Sequence, residues 1–194
     1  MNVIFLDIDG VLNSDEYFKE VRGQSGFVEI DKNTLPILKQ IVEENNAVLV
    51  LSSTWRCLDD PEYPSGYAMW INLINALASV GLGLYDKTPY LFRTHFDENC
   101  EPINLLDLPE ETPVNTRPLE IKAWLDEHPD VKAWISIEDD YAEEHYKTSG
   151  IPGHLLQTSF WGPKEECGLQ KHHVEIAREM FDKQKFPKAE QFVV

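Results

Sequence analysis

Short, solid apolar runs alternate along this chain with longer segments in which apolar residues recur every three or four positions. Val3-Ile4-Phe5-Leu6 is the first solid run, Ala47-Val48-Leu49-Val50-Leu51 the second, and Ala133-Trp134-Ile135-Ser136-Ile137 the core of a third over 131–137. Runs of this length without polar alternation predict strands buried on both faces, as in the middle of a parallel sheet. His154-Leu155-Leu156-Gln157 predicts a fourth strand, and a short apolar piece within 81–91 is compatible with another. Between the runs the spacing is helical. Leu35, Leu38, Ile41 and Val42 share a face over 31–45, Trp70, Leu73, Ile74, Leu77 and Val80 over 68–80, and Ile121, Trp124 and Leu125 over 117–128. An amphipathic helix over 172–183 closes the pattern, with His172 and His173 expected as exposed residues at its start. Asp31 or Thr34 can cap the first helix and Asn45-Asn46 ends it, while Pro36 and Pro118 are tolerated only in a first turn. Buried strands alternating with helices make an α/β fold with a parallel sheet.

The polar residues at the ends of the strands carry the chemistry. The first run leads straight into Asp7-Ile8-Asp9-Gly10. Strand periodicity sends Asp7 and Asp9 to one side, at the carboxyl end where open α/β sheets hold their ligands. Two acids together there call for a cation, and Gly10 lets the backbone turn sharply against whatever binds. The second run ends in Ser52-Ser53-Thr54-Trp55-Arg56, which offers hydroxyls, backbone N–H groups and an arginine to a phosphate; helix capping is the competing use of the two serines. The third run ends in Glu138-Asp139-Asp140, an acid cluster that is costly to bury without a counter-charge. An Asp-x-Asp-Gly also opens calcium loops, but such a loop needs an oxygen ligand at its fifth position and a Glu at its twelfth. Counted from Asp7, those positions hold Val11 and Phe18.

Together, Asp7-Ile8-Asp9-Gly10-Val11, the strand ending in Ser52, a basic residue near the start of the 117–128 helix and Glu138-Asp139-Asp140 resemble the four motifs of the haloacid dehalogenase (HAD) superfamily of phosphohydrolases. The closest likeness is to its capless or small-cap branch, which includes the phosphatase half of polynucleotide kinase-phosphatases and HAD domains of RNA-repair proteins. The resemblance implies a Rossmann-like three-layer sandwich with a central parallel sheet and a minimal cap, spanning 1–194 as one phosphatase domain. Residues 13–30 would form a hairpin flap bringing Tyr17, Phe18 and Arg22 to the substrate, with an ordinary surface hairpin as the competing reading. Residues 57–116 would form a helix plus an irregular insertion rather than a full cap.

The resemblance implies a Mg²⁺-dependent phosphomonoester hydrolase acting through an aspartyl-phosphate. Asp7 would be the nucleophile and Asp9 the general acid and base. Ser52 would hydrogen-bond the phosphoryl group, Ser53 would offer its N–H, and Gly10 and Arg56 would line the substrate. Arg117 is preferred as the charge-neutralising cation, with Lys122 as the alternative. Mg²⁺ would sit on Asp7, the Asp9 carbonyl and Asp139, with Asp140 as the alternate ligand and Glu138 structural or outward-facing. Specificity would come from the flap, Trp55-Arg56 and the loops near 58–66 and 159–166. The alternative is a regulatory protein of the same fold that binds metal and phosphate without turnover.

Composition narrows the partners. The net charge of −17, from 34 acids against 17 bases, opposes a diffuse grip on nucleic acid. It leaves room for a small phosphorylated substrate, a nucleotide or a polynucleotide end being the extended case. No apolar run approaches the roughly 18–20 residues needed to span a bilayer. The start of the chain lacks the pattern of a signal peptide, and Cys57, Cys100 and Cys167 show no metal spacing. A reduced cytoplasmic setting without a membrane partner is therefore expected.

Overall fold

The computed structural model describes residues 1–24, 28–91 and 116–185. Its elements run β1 (Asn2–Leu6), α1 (Asp15–Val21), α2 (Leu35–Asn45), β2 (Ala47–Leu51), a 3-10 turn (Thr54–Cys57), α3 (Pro64–Ser79), β3 (Leu84–Lys87), α4 (Thr116–Glu127), β4 (Ala133–Glu138), α5 (Glu143–Thr148), β5 (Leu155–Gln157) and α6 (His172–Lys185). The five strands form one wholly parallel sheet in the order β3-β2-β1-β4-β5. This is a Rossmann-like α/β arrangement, with helices on both faces of the sheet.

Strand parity divides the core in two. Ile4 and Leu6 of β1, Leu49 and Leu51 of β2, and Ile135 and Ile137 of β4 face one side, where α2, α3 and α6 bring Leu38, Leu73 and Phe181. Val3, Phe5, Val50 and Trp134 face the other, where α4 and α5 bring Ile121, Trp124 and Tyr146. On that second side Phe5 meets Trp124 and Trp134 edge-on, at centroid distances of 5.4 and 5.5 Å. β1 is paired on both edges, to β2 and to β4. The chain therefore reverses its direction of winding beside β1, and the crevice falls at the carboxyl ends of β1 and β4.

Several expectations change. Where a hairpin flap was expected after β1, the chain forms helix α1, capped by Ser14, whose hydroxyl accepts from the Tyr17 N–H. The Tyr17 phenol donates to the carbonyls of Val28 and Ile30, tying the helix back onto the chain that follows. α3 starts at Pro64, earlier than its apolar stripe, because Pro64 suits a first turn. β4 extends one residue past Ile137 to include Glu138. α5 had not been anticipated. Thr34 takes the N-cap position of α2, but its hydroxyl donates to the Asp31 carbonyl instead of capping. His173 is buried rather than exposed. Most of the irregular stretch expected over 94–116, with Cys100, and the tail from Phe186 lie outside the described residues. Among those described, no helix is long and apolar enough to cross a membrane.

Candidate active site

The ladder between β1 and β4 continues one residue past the end of β1, where the Asp7 N–H donates to the Ile137 carbonyl at 3.1 Å. Asp7 follows Val3 and Phe5 in parity, and Glu138 follows Trp134 and Ser136, so both acids point to the α4–α5 side of the sheet. Carboxylate oxygens of Asp7, Glu138 and Asp139 lie within 4.8 Å of one another. α4 begins beside them and delivers Arg117, whose Nη1 is 2.8 Å from Asp7 Oδ1 and also pairs with Glu138.

The electrostatics follow from burial. Glu138 has no exposed surface. Burial pushes its carboxyl well above the usual range against the pull of Arg117. Burial, with the charges of Asp7 and Asp140, raises Asp139 to about 7. Burial opposes the Arg117 charge, yet Asp7 and Glu138 hold that guanidinium well above its ordinary value. Three ionised carboxylates against one guanidinium would leave two negative charges, which one divalent cation would match. The donors are all oxygen, the set that Mg²⁺ prefers.

Asp9 sits in a different environment. The Asn13 amide donates to its Oδ1 at 2.8 Å and the Trp55 indole to its Oδ2 at 2.9 Å. Both donors are neutral, and burial raises its pKa in spite of them. Asn13 is itself fixed, accepting from the Gly10 N–H and donating to the Glu29 carbonyl. Gly10 has φ +70°, and a Cβ there would lie 2.2 Å from Asp139 Cγ.

A cavity of about 240 Å³ opens over these groups. Asp7, Asp9, Asp139, Asp140 and Arg117 line it, joined by Thr54, Phe160 and Trp161. The structure thus brings five of the residues singled out in the sequence to one place. Ser52 follows β2 in register beside Asp7, and its N–H donates to the Leu6 carbonyl at 2.9 Å. Its hydroxyl is wholly buried with no hydrogen-bond partner among the described residues. The Ser53 hydroxyl caps the following turn by accepting from the Trp55 N–H.

Two expected substrate contacts are placed elsewhere. The Arg56 guanidinium is buried and committed to Glu120 at 2.6 Å and to the carbonyls of Ser52 and Ser53 at 2.9 Å. It braces the turn after β2 and does not line the cavity, because a buried carboxylate on α4 claims it. Lys122 is exposed on α4, paired with Asp126 at 2.7 Å, and reaches none of the site acids. Glu138, expected as structural or outward-facing, points inward and joins the acid cluster. Its signal in the sequence was parity: Ser136 and Glu138 are the polar positions of one face of an otherwise apolar strand. Thr54 was passed over because it lies between residues with stronger motif claims.

The family model for the HAD domain in Swiss Army Knife RNA repair proteins matches residues 3–174. That span holds every residue named above at the site. Neither the search of curated proteins nor that of solved structures found a match.

Proposed function

From a chain that belongs to the family of HAD domains found in Swiss Army Knife RNA repair proteins, a family with a phosphohydrolase-type function, we propose a Mg²⁺-dependent phosphomonoester hydrolase with Asp7 as nucleophile. The observation that carries this reading is the meeting of Asp7, Glu138 and Asp139 with Arg117 at adjacent strand ends.

In the proposed reaction an Asp7 oxygen attacks phosphorus in line and the bond to the leaving oxygen breaks, giving an aspartyl-phosphate. Asp9, neutral at that moment, gives its proton to the leaving oxygen. The raised pKa of Asp9, set by burial against its two hydrogen-bond donors, supports that role. As a carboxylate, Asp9 then takes a proton from the water that attacks the aspartyl-phosphate, which releases phosphate and restores Asp7. Arg117 offsets charge on the phosphoryl oxygens from its place beside Asp7. The Ser52 hydroxyl, buried next to Asp7 with an unused hydrogen bond, is assigned to a phosphoryl oxygen, and Ser53 is assigned to offer its N–H. Asp7, Asp139 and the Asp9 carbonyl would hold Mg²⁺, with Glu138 completing the negative field and Asp140 at the rim. When bound, the ion supplies positive charge to the phosphoryl oxygens. The family description points toward nucleotides or nucleic-acid ends as substrates, while the charge of −17 favours small ones.

The test is Asp7→Asn, assayed with Mg²⁺ on a panel of phosphomonoesters. Arg117 keeps Glu138 as a partner in this variant, so the fold is expected to persist by circular dichroism. Turnover is expected to fall by about 10³-fold or more. Undiminished Mg²⁺-dependent turnover would refute the assignment. Measurable phosphate binding without turnover by the unmodified protein would favour the regulatory reading instead.

A further inference from the structure

Two residues of the cavity wall have no part in phosphoryl chemistry. Phe160 and Trp161 line a site whose other side chains are acids, one guanidinium and one hydroxyl. Trp161 is 69% exposed, more than any other large apolar side chain among the described residues. A single exposed apolar residue is ordinary on a protein surface. This one stands at the mouth of the acidic cavity, on a loop pinned at several points. The Asp15 N–H donates to the Phe160 carbonyl at 3.0 Å, the Ser159 hydroxyl to the Trp161 carbonyl at 2.6 Å, and the Gly168 N–H to the Ser159 carbonyl at 2.8 Å. The rings also support one another: Trp161 meets Phe160 at 4.9 Å and 73°, and Phe160 packs on Phe18 of α1 at 6.2 Å. The backbone carrying the Trp161 ring is therefore fixed, while most of the ring's surface is left to water.

Acids at the rim offer nothing attractive to an anionic leaving group, and an indole face offers a stacking partner to a flat neutral one. We propose that Trp161, backed by Phe160, is the specificity element of this site, and that it stacks on a flat aromatic ring carried by the leaving group. The preferred substrates are then small phosphomonoesters whose alcohol bears an aromatic ring, whether a nucleobase or a simple aryl group. This inference rests on the hydrolase reading above.

Benzyl phosphate and cyclohexylmethyl phosphate test it, because both release a primary alcohol of similar size and only one carries a flat ring. The unmodified protein is expected to prefer the benzyl ester. Trp161→Ala is expected to lower the benzyl-to-cyclohexylmethyl ratio of kcat/KM by about tenfold, mostly through KM, the scale of one aromatic stack. Trp161→Phe should keep most of the preference, and comparing variants cancels the intrinsic reactivities of the esters. Adenosine 5′-monophosphate separates the two sources of the ring. Parallel losses on it and on the benzyl ester support recognition of any aromatic ring, whereas loss on the nucleotide alone supports a nucleobase. Turnover in which Trp161→Ala changes neither the benzyl-to-cyclohexylmethyl ratio nor the KM for the nucleotide overturns the stacking and leaves the hydrolase standing. Absence of turnover on all three esters by the unmodified protein overturns both.

Discussion

Gly10 and Asp139 compete for one small volume. Gly10 turns with φ +70°, and the missing Cβ is where the Asp139 carboxyl lies. Gly10→Ala therefore carries two penalties, a left-handed backbone and a displaced acid. Stability is expected to fall by about 1–3 kcal/mol, read from urea midpoints. Mg²⁺-dependent turnover is expected to fall by about 10²-fold or more, because sub-ångström placement of the acid is lost. Gly153→Ala is the control: its φ of +81° is equally left-handed but nothing lies within 4 Å, so it should cost stability alone. The need for glycine at position 10 was legible in the sequence, since a turn must follow Asp7 and Asp9 directly, but the acid filling the space was not. The same limit governs the cations. Arg117 was preferred to Lys122 for its place at the helix entrance, and five residues along a helix is a rotation of about 140°, which carries Lys122 off the face that Arg117 presents. Arg56 looked like a phosphate ligand because Glu120, its partner, lies 64 residues away in the sequence.

At the scale of elements, legibility tracked the buried face. β1 and β2 were readable as solid apolar runs, and α2 and α4 because their apolar residues repeat at helical spacing. α1 buries no residue and α5 buries only Tyr146, so neither leaves a stripe to detect. α6 was found, but His173 was misplaced by residue type, although it precedes Ala177 and Phe181 at helical spacing on the buried face. That burial has a consequence for pH. The His173 ring nitrogen accepts from the Gln170 N–H at 2.9 Å, which requires a neutral ring. Burial, with His172 beside it, lowers its pKa to about 4. Unfolded, the same ring titrates near pH ~6.5. Between those values the unfolded chain binds a proton that the native one refuses, so the contribution is complete above about pH 6.5 and lost as pH falls toward about 4. The loss amounts to at most about 3 kcal/mol. His173→Gln keeps an acceptor for Gln170 without the titration. Urea midpoints at pH 7 and pH 5 should converge in the variant relative to the unmodified protein, and an unchanged difference would count against this account.

At the scale of the molecule, the parallel sheet was legible from buried runs separated by helices, whereas the strand order was not, because no local pattern says which runs become neighbours. The order matters chemically: only with β1 beside β4 do Asp7 and the Glu138-Asp139 pair meet, about 130 positions apart in the chain. The acid cavity then sits in a protein of net charge −17, and the whole field acts on what approaches it. A substrate with one phosphate meets moderate repulsion relieved locally by Arg117, and every added phosphate increases it. Raising salt from 10 to 100 mM shortens the screening length from about 30 to about 10 Å. At fixed Mg²⁺, kcat/KM for a 5′-phosphorylated trinucleotide should therefore rise with salt, by about two- to fivefold, and by less for a nucleoside monophosphate. A protein that grips nucleic acid through cationic contacts behaves in the opposite way, losing affinity steeply as salt is added. A steep fall in the trinucleotide rate with salt would show that basic side chains hold the strand despite the overall charge, and would move the substrate reading from small esters to nucleic-acid ends.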